Sequence, residues 1–143
     1  MTLRPFKYPS LRLPAMDKES PRLLLVESDA LLADITAFRL ELLGYDVATA
    51  AGGDEALAKL DAALPDLIIL DLHLEDMDGL DMIDRLSNDA RTSAVAILAF
   101  SIDADLDSVQ RAYAAGARDY LVVPYDPAVL EAKIESLLHG VKV

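Results

Sequence analysis

The sequence contains no cysteine, so neither a disulfide framework nor thiol chemistry is available to it. No run approaches the roughly 18 consecutive apolar residues of a membrane span, and the N-terminus has no secretory hydrophobic region. Basic residues are in the minority: the net charge is −12, which argues against direct binding of nucleic acid, because such binding needs a basic surface. We therefore expect a cytoplasmic protein that contacts no membrane.

The 143 residues, 53% of them hydrophobic, are enough for one domain with a substantial core. The acidic charge fits a protein that meets cations or basic surfaces, or one whose charge serves solubility alone. Residues 1–15 differ from the rest because they hold three basic residues, three prolines and no acid. We interpret residues 1–20 as a flexible N-terminal extension and residues 21–140 as the folded domain.

Five short apolar runs alternate with five amphipathic stretches from Arg22 onward. The runs, predicted as strands, are residues 23–26, 47–50, 67–70, 95–100 and 120–123. Alternation of this kind favours parallel strands joined by right-handed helical crossovers. The chain length suits an open α/β doubly wound sheet, and the second run is weak enough to be an edge strand.

Apolar spacing also predicts which side of each helix faces the core. We expect the first helix to be capped by Asp29, the fourth to end at Gly116 and the last to begin after Asp126. The side chains predicted to face inward are Leu31, Ile35, Phe38 and Leu42 in the first helix; Leu106, Val109 and Tyr113 in the fourth; and Val129, Leu130, Ile134 and either Leu137 or Leu138 in the last.

Polar residues follow several of these strands at the point where each strand ends. Asp71 closes the third strand, Glu27 follows the first and Ser101 follows the fourth, while Tyr120 opens the fifth. Because the carboxyl ends of parallel strands share one edge, we expect the side chains of Glu27, Asp71 and Ser101 to converge there. An aspartate is rarely placed near a core without a partner, so Asp71 is the candidate functional residue.

These residues occur together with three further motifs, in an order and at a spacing that is specific as a set. The motifs are the turn Met77-Asp78-Gly79-Leu80, the segment Ala115-Gly116-Ala117 and Pro124 after the fifth strand. From about Arg22 to Leu138 the chain resembles the receiver domain of two-component response regulators. The resemblance implies a flavodoxin-like fold, a single five-stranded parallel sheet of order 2-1-3-4-5 with five helices.

The resemblance also implies a function in phosphorelay signalling. Asp71 would accept a phosphoryl group from a histidine kinase or phosphotransfer protein, Ser101 would bind the phosphoryl oxygens and Tyr120 would act as the switch. Glu27, Asp71 and the backbone carbonyl of His73 would hold Mg2+. The face made by the fourth helix, fifth strand and fifth helix would form a homodimer or contact an output domain.

Two positions depart from the family pattern. Ser28 stands where the family has a second metal-binding acid, and Val123 stands where it has a lysine. Mg2+ binding should therefore be weak or absent, and loss of the lysine removes a charge-assisted hydrogen bond of about 1.5–3 kcal/mol. We hypothesise that the pocket rests without metal, with one carboxyl group partly protonated by its neighbour, and we expect a cis bond between Val123 and Pro124.

These departures keep alternatives open. A degenerate receiver could act as a phosphorylation-independent interaction module. An enzyme is a third class: Asp71-Leu72-His73 resembles the aspartate-nucleophile phosphatases, but their second aspartate is absent. A flavin-binding flavodoxin is disfavoured because no phosphate-binding loop rich in Gly, Ser and Thr follows the first strand. We therefore expect a phosphoacceptor and not an enzyme.

Overall fold

The computed structural model describes residues 20–140, so the predicted extension lies outside the described residues except for Ser20. Within this range, strands and helices alternate as predicted: β1 (Arg22–Val26), α1 (Ala30–Leu42), β2 (Asp46–Ala50), α2 (Gly53–Ala62), β3 (Leu67–Asp71), α3 (Gly79–Ser87), β4 (Ala96–Ser101), α4 (Leu106–Ala115), β5 (Asp119–Val122) and α5 (Pro127–His139). The strand boundaries agree with the predicted ones to within one residue.

The strands form one parallel sheet in the order β2-β1-β3-β4-β5. The order and the edge position of β2 are both confirmed. Asp29, Asp78, Asp105 and Asp126 each accept a backbone hydrogen bond at the start of a helix, which fixes where α1, α3, α4 and α5 begin. None of the helices in residues 20–140 combines the length and apolar character needed to span a membrane.

Helices cover both faces of the sheet, because successive side chains of a strand point to opposite faces. On one face, Leu24, Ile68 and Ile97 belong to a buried cluster with residues of α2, α3 and α4. On the other, Leu25 and Ile69 belong to a second cluster with residues of α1 and α5. Burial on both faces explains why the strands are almost wholly apolar.

The predicted inward face of α1 is wrong. Leu31, Ile35, Phe38 and Leu42 are between 47 and 70% exposed. The face against the sheet is formed instead by Ala33, Thr36, Ala37 and Leu40, of which only Leu40 has a large side chain. Small side chains let the helix backbone lie close to the strands, so the larger apolar residues are turned towards solvent.

The predictions for α4 and α5 are partly wrong as well. In α4 the buried residue is Ala112, while Leu106 is 70% exposed and Tyr113 is 44% exposed. In α5, Leu130 and Ile134 are buried as predicted, but Val129 lies outside the core. Hydrophobic spacing therefore located these helices correctly without fixing their rotation.

Candidate functional site

The carboxyl ends of β1 and β3 form the centre of the site. The strand order reverses between these two strands, and open α/β sheets place their ligand crevice at such a point. Val26 of β1 is paired with Leu70 of β3. The next residues, Glu27 and Asp71, therefore lie side by side, as the sequence predicts.

Glu27 is a buried acid beside a second acid. Its side chain is only 5% exposed, and its Oε2 accepts a hydrogen bond of 3.1 Å from the backbone N–H of Asp29. Burial and, to a smaller extent, the neighbouring Asp71 carboxylate raise the pKa of Glu27 to about 7. No Lys or Arg within the described residues forms an ion pair with either acid. The pair thus favours a shared proton or a bound cation.

Asp71 is half-buried, and its surroundings fix its orientation. Its Oδ1 accepts a hydrogen bond of 2.9 Å from the backbone N–H of His73. The backbone N–H of Leu72 donates to the carbonyl of Phe100 over 2.9 Å, which continues the pairing of β3 with β4 past the end of the strand. The Asp71 carboxylate therefore lies at the edge of the sheet, and the backbone that follows it is hydrogen-bonded to β4.

The β3–α3 loop after Asp71 is anchored at two points. A Cβ on Gly79 would lie 2.4 Å from the Cα of Leu72, so only glycine allows the two segments to approach this closely. The Asp76 carboxylate accepts hydrogen bonds of 2.9 and 3.0 Å from the backbone N–H groups of Gly53 and Asp54. Asp76 thereby caps α2 from a distance, because the residue preceding that helix is a glycine without a capping side chain.

Ser28 forms hydrogen bonds between two loops, at the position where the family pattern has a metal-binding acid. Its hydroxyl donates to the carbonyl of Ala51 over 2.9 Å and accepts from the backbone N–H of Glu75 over 3.2 Å. It therefore bridges the β2–α2 and β3–α3 loops. Asp29 is occupied as the cap of α1, as predicted.

Ser101 lies on the other side of Asp71, at the end of β4. It is fully buried, and its Oγ accepts a hydrogen bond of 3.0 Å from the backbone N–H of Asp103. The Nε2 of His73 lies 3.3 Å from the same Oγ and donates to the Asp103 carboxylate over 3.0 Å. The imidazole of His73 thus contacts the neighbouring loop, while the metal prediction concerned only its backbone carbonyl.

Tyr120 is connected to the same loop. Its ring is buried, and its hydroxyl donates a hydrogen bond of 2.6 Å to the backbone carbonyl of Asp103. Asp103 therefore contacts Ser101, His73 and Tyr120, and the sequence analysis missed it. The available signal was its spacing: it follows Ser101 by two residues, as His73 follows Asp71.

Val123 supplies no polar group to the site. Its side chain packs, partly buried, against the cluster shared with α1 and α5, together with Tyr125. The peptide bond between Val123 and Pro124 is cis, as predicted. Position 123, where the family pattern has a lysine, is thus apolar and places no positive charge near Asp71.

Comparison with known families decides which family the chain belongs to. The family model described as "Response regulator receiver domain" matches residues 23–135. The chain belongs to the response regulator receiver domain family. The receiver is similar in structure to the chemotaxis response regulator CheY4 of Vibrio cholerae, with a TM-score of 0.79 and 28% identity, covering 83% of this chain and 99% of that one. A CheY-like receiver domain protein from Methanospirillum hungatei gives a TM-score of 0.78 and 29% identity, with 85% and 95% covered.

Curated relatives of the receiver include longer transcriptional regulators. The DNA-binding dual master transcriptional regulator RpaA of Synechocystis is 34% identical over 118 residues, which are 82% of this chain and 49% of that protein. The phosphate regulon transcriptional regulatory protein PhoB of Rhizobium meliloti is 32% identical over 122 residues, or 85% and 54%. The chain spans about half the length of the curated relatives it matches.

The donors at the site fit Mg2+ only partly. The side-by-side carboxylates of Glu27 and Asp71 are hard oxygen ligands of the kind this ion prefers, and a cation would offset the burial and, to a smaller extent, the repulsion from Asp71 that raise the pKa of Glu27. The Ser28 hydroxyl is engaged elsewhere. Within residues 20–140, no group of three or more His, Asp or Glu side chains is arranged to hold a metal ion.

Proposed function

We propose that this receiver accepts a phosphoryl group on Asp71 from the phosphohistidine of a histidine kinase or phosphotransfer protein. Receiver domains interact with histidine kinases, and the family assignment supplies that general context. The observation that carries the proposal is the position of the Asp71 carboxylate at the point where the strand order reverses, held by the backbone N–H of His73 and flanked by the buried hydroxyl of Ser101.

In the proposed step, an Asp71 carboxylate oxygen forms a bond to phosphorus while the bond from phosphorus to the histidine nitrogen breaks, and imidazole leaves. Such a transfer depends mainly on positioning and on stabilisation of charge. The hydroxyl of Ser101 would donate a hydrogen bond to a phosphoryl oxygen. Tyr120 would respond through the loop that both residues contact, so that a local change reaches the surface.

A test uses acetyl phosphate and Mg2+ with intact-mass spectrometry. We expect a gain of one phosphoryl group that Asp71→Ala abolishes and that Asp34→Ala, at an exposed position of α1, retains. The chain is proposed to act only as an acceptor, so acetyl phosphate consumption should not exceed formation and hydrolysis of the phosphorylated form. A mass that does not change, or changes equally in Asp71→Ala, would support the phosphorylation-independent interaction module instead.

We also propose that Mg2+ binds weakly, held by Glu27, Asp71 and the backbone carbonyl of His73. When bound, the ion would neutralise charge on the phosphoryl group. Glu27 loses its proton near pH 7, so binding competes with a proton at neutral pH. NMR titration should show shifts that do not saturate at low millimolar Mg2+ and that vanish in Glu27→Gln. Saturation in that range would contradict weak binding.

Two further proposals concern partners. RpaA is described as DNA-binding, but the net charge of −12 in this chain opposes contact with phosphates, so we propose that this receiver does not itself bind nucleic acid. A mobility-shift assay at low salt should show no complex, and a complex would overturn this.

We propose that the face made by α4, β5 and α5 pairs with a second copy after phosphorylation. It exposes Tyr113, Val122 and Val129 beside the 2.8 Å ion pair of Lys133 with Asp119. Sedimentation with and without acetyl phosphate tests it. Dimers are expected only in the presence of acetyl phosphate, and Val122→Lys should abolish them. A monomer with and without acetyl phosphate would contradict the proposal.

A further inference from the structure

His73 and Asp103 form a contact between the two loops that follow Asp71 and Ser101. The Nε2 of His73 donates to the Asp103 carboxylate over 3.0 Å and lies 3.3 Å from the Oγ of Ser101. The two side chains are 50 and 43% exposed, so the contact is open to solvent. It joins the β3–α3 loop, which follows Asp71, to the β4–α4 loop, which follows Ser101.

The β4–α4 loop is held on its inner side as well. The backbone N–H of Asp103 donates to Ser101 Oγ over 3.0 Å, and the backbone carbonyl of Asp103 accepts from the Tyr120 hydroxyl over 2.6 Å. The hydroxyl of Ser101 is therefore surrounded by Asp103 and His73. A phosphoryl group on Asp71 can reach that hydroxyl only if these contacts rearrange, because the position is already fully buried.

We propose that His73 and Asp103 form a latch over the pocket, which must open for Asp71 to gain a phosphoryl group and again for it to lose one. The inference rests on the proposed phosphorylation of Asp71. On loading from acetyl phosphate, the Asp71–phosphorus bond forms and acetate leaves. On hydrolysis, the oxygen of a water molecule bonds to phosphorus, the bond to Asp71 breaks and inorganic phosphate leaves. His73 is a positioning residue in both steps and touches no reacting atom.

The test measures both rate constants in His73→Ala, Asp103→Ala and the double variant. One hydrogen bond in a solvent-accessible contact corresponds to about three- to tenfold in rate, so each single variant should load and hydrolyse faster by that factor. The double variant should be no faster than the singles, because either change opens the same latch. Loading and hydrolysis should accelerate together, leaving the steady-state phosphorylated fraction little changed.

The chain offers a matched control in the His139–Glu135 pair of α5, which has a similar distance of 3.1 Å and exposures of 57 and 63%. His139→Ala should change neither rate. A lower loading rate in His73→Ala would overturn the latch, because it would mean that the imidazole assists transfer. Unchanged rates, or effects that multiply in the double variant, would also overturn it.

A second measurement does not depend on phosphorylation. The Asp103 amide proton, bonded to Ser101, should exchange with solvent about three- to tenfold faster in His73→Ala than in the unmodified receiver. If Asp71 takes no phosphoryl group but this exchange is faster, the proposed function fails, and with it the role of the latch in phosphorylation, while the restraint of the β4–α4 loop by His73 is supported. If exchange is unchanged, the latch fails whatever the phosphorylation result.

Discussion

Replacing Glu27 with glutamine should stabilise the metal-free receiver more at pH 8 than at pH 5. Burial and the adjacent Asp71 raise the pKa of Glu27 from 4.5 to about 7. Between these values the folded chain binds more protons than the unfolded chain, so the free energy of unfolding falls as the pH rises through this window and levels off above it.

The magnitude follows from the size of that shift. Each pKa unit corresponds to about 1.36 kcal/mol. Relative to a side chain that cannot ionise, Glu27 should therefore lower the free energy of unfolding by about 3 kcal/mol at pH 8, where it is ionised in both states, and by about 1 kcal/mol at pH 5, where it ionises mainly in the unfolded chain. Glutamine carries no charge, its carbonyl can accept the hydrogen bond that Asp29 donates, and its amide can donate to Asp71. The advantage of Glu27→Gln should therefore be larger at pH 8 by about 2 kcal/mol.

The assay is urea unfolding followed by circular dichroism, in the presence of a chelator, at both pH values. Glu75→Gln serves as the control, because it removes the same charge from an exposed position on a nearby loop. Its effect should be within about 0.5 kcal/mol at either pH. The reasoning is refuted if Glu27→Gln gives the same difference at both pH values or is the less stable protein at pH 8.

Three further predictions follow from packing and charge. Leu40→Ala should lower the free energy of unfolding by about 2–5 kcal/mol, whereas Phe38→Ser on the exposed side of the same helix should change it by about 0.5 kcal/mol or less; urea unfolding tests both, and the reverse order would restore the original assignment of the α1 face. Gly79→Ala should lower the melting temperature, since its Cβ would lie 2.4 Å from the Leu72 backbone, and an unchanged temperature would contradict this. Val123→Lys should speed phosphorylation of Asp71 by acetyl phosphate by about one to two decades, and an equal rate would show that the absent cation does not limit transfer.

The strands were predictable because their patterns admit one interpretation. Burial on both faces requires an uninterrupted apolar run such as Leu67–Asp71 up to its final residue. The rotation of α1 was not predictable from spacing, because the helix is apolar on two sides. Close packing against the sheet selected the side with Ala33 and Ala37, and the larger Phe38 was left outside.

The same distinction applies to the site. Glu27, Asp71 and Ser101 were predictable because strand ends fix their positions directly. The contacts of Asp103 depend on the path of a loop, which is set by the buried hydroxyl of Tyr120 and by the imidazole of His73. Loop geometry of this kind results from tertiary contacts between segments distant in sequence, so local patterns do not reveal it.

The bridge made by Ser28 limits how this pocket can be re-engineered. Replacing Ser28 with aspartate would introduce the acid expected in the family, but a carboxylate has no proton to donate to the carbonyl of Ala51. The added metal ligand would thus remove a bond between two loops and place a third negative charge near Glu27 and Asp71. Restoring the family pattern therefore requires coordinated changes, and a single reversion at Ser28 would begin with a loss of stability.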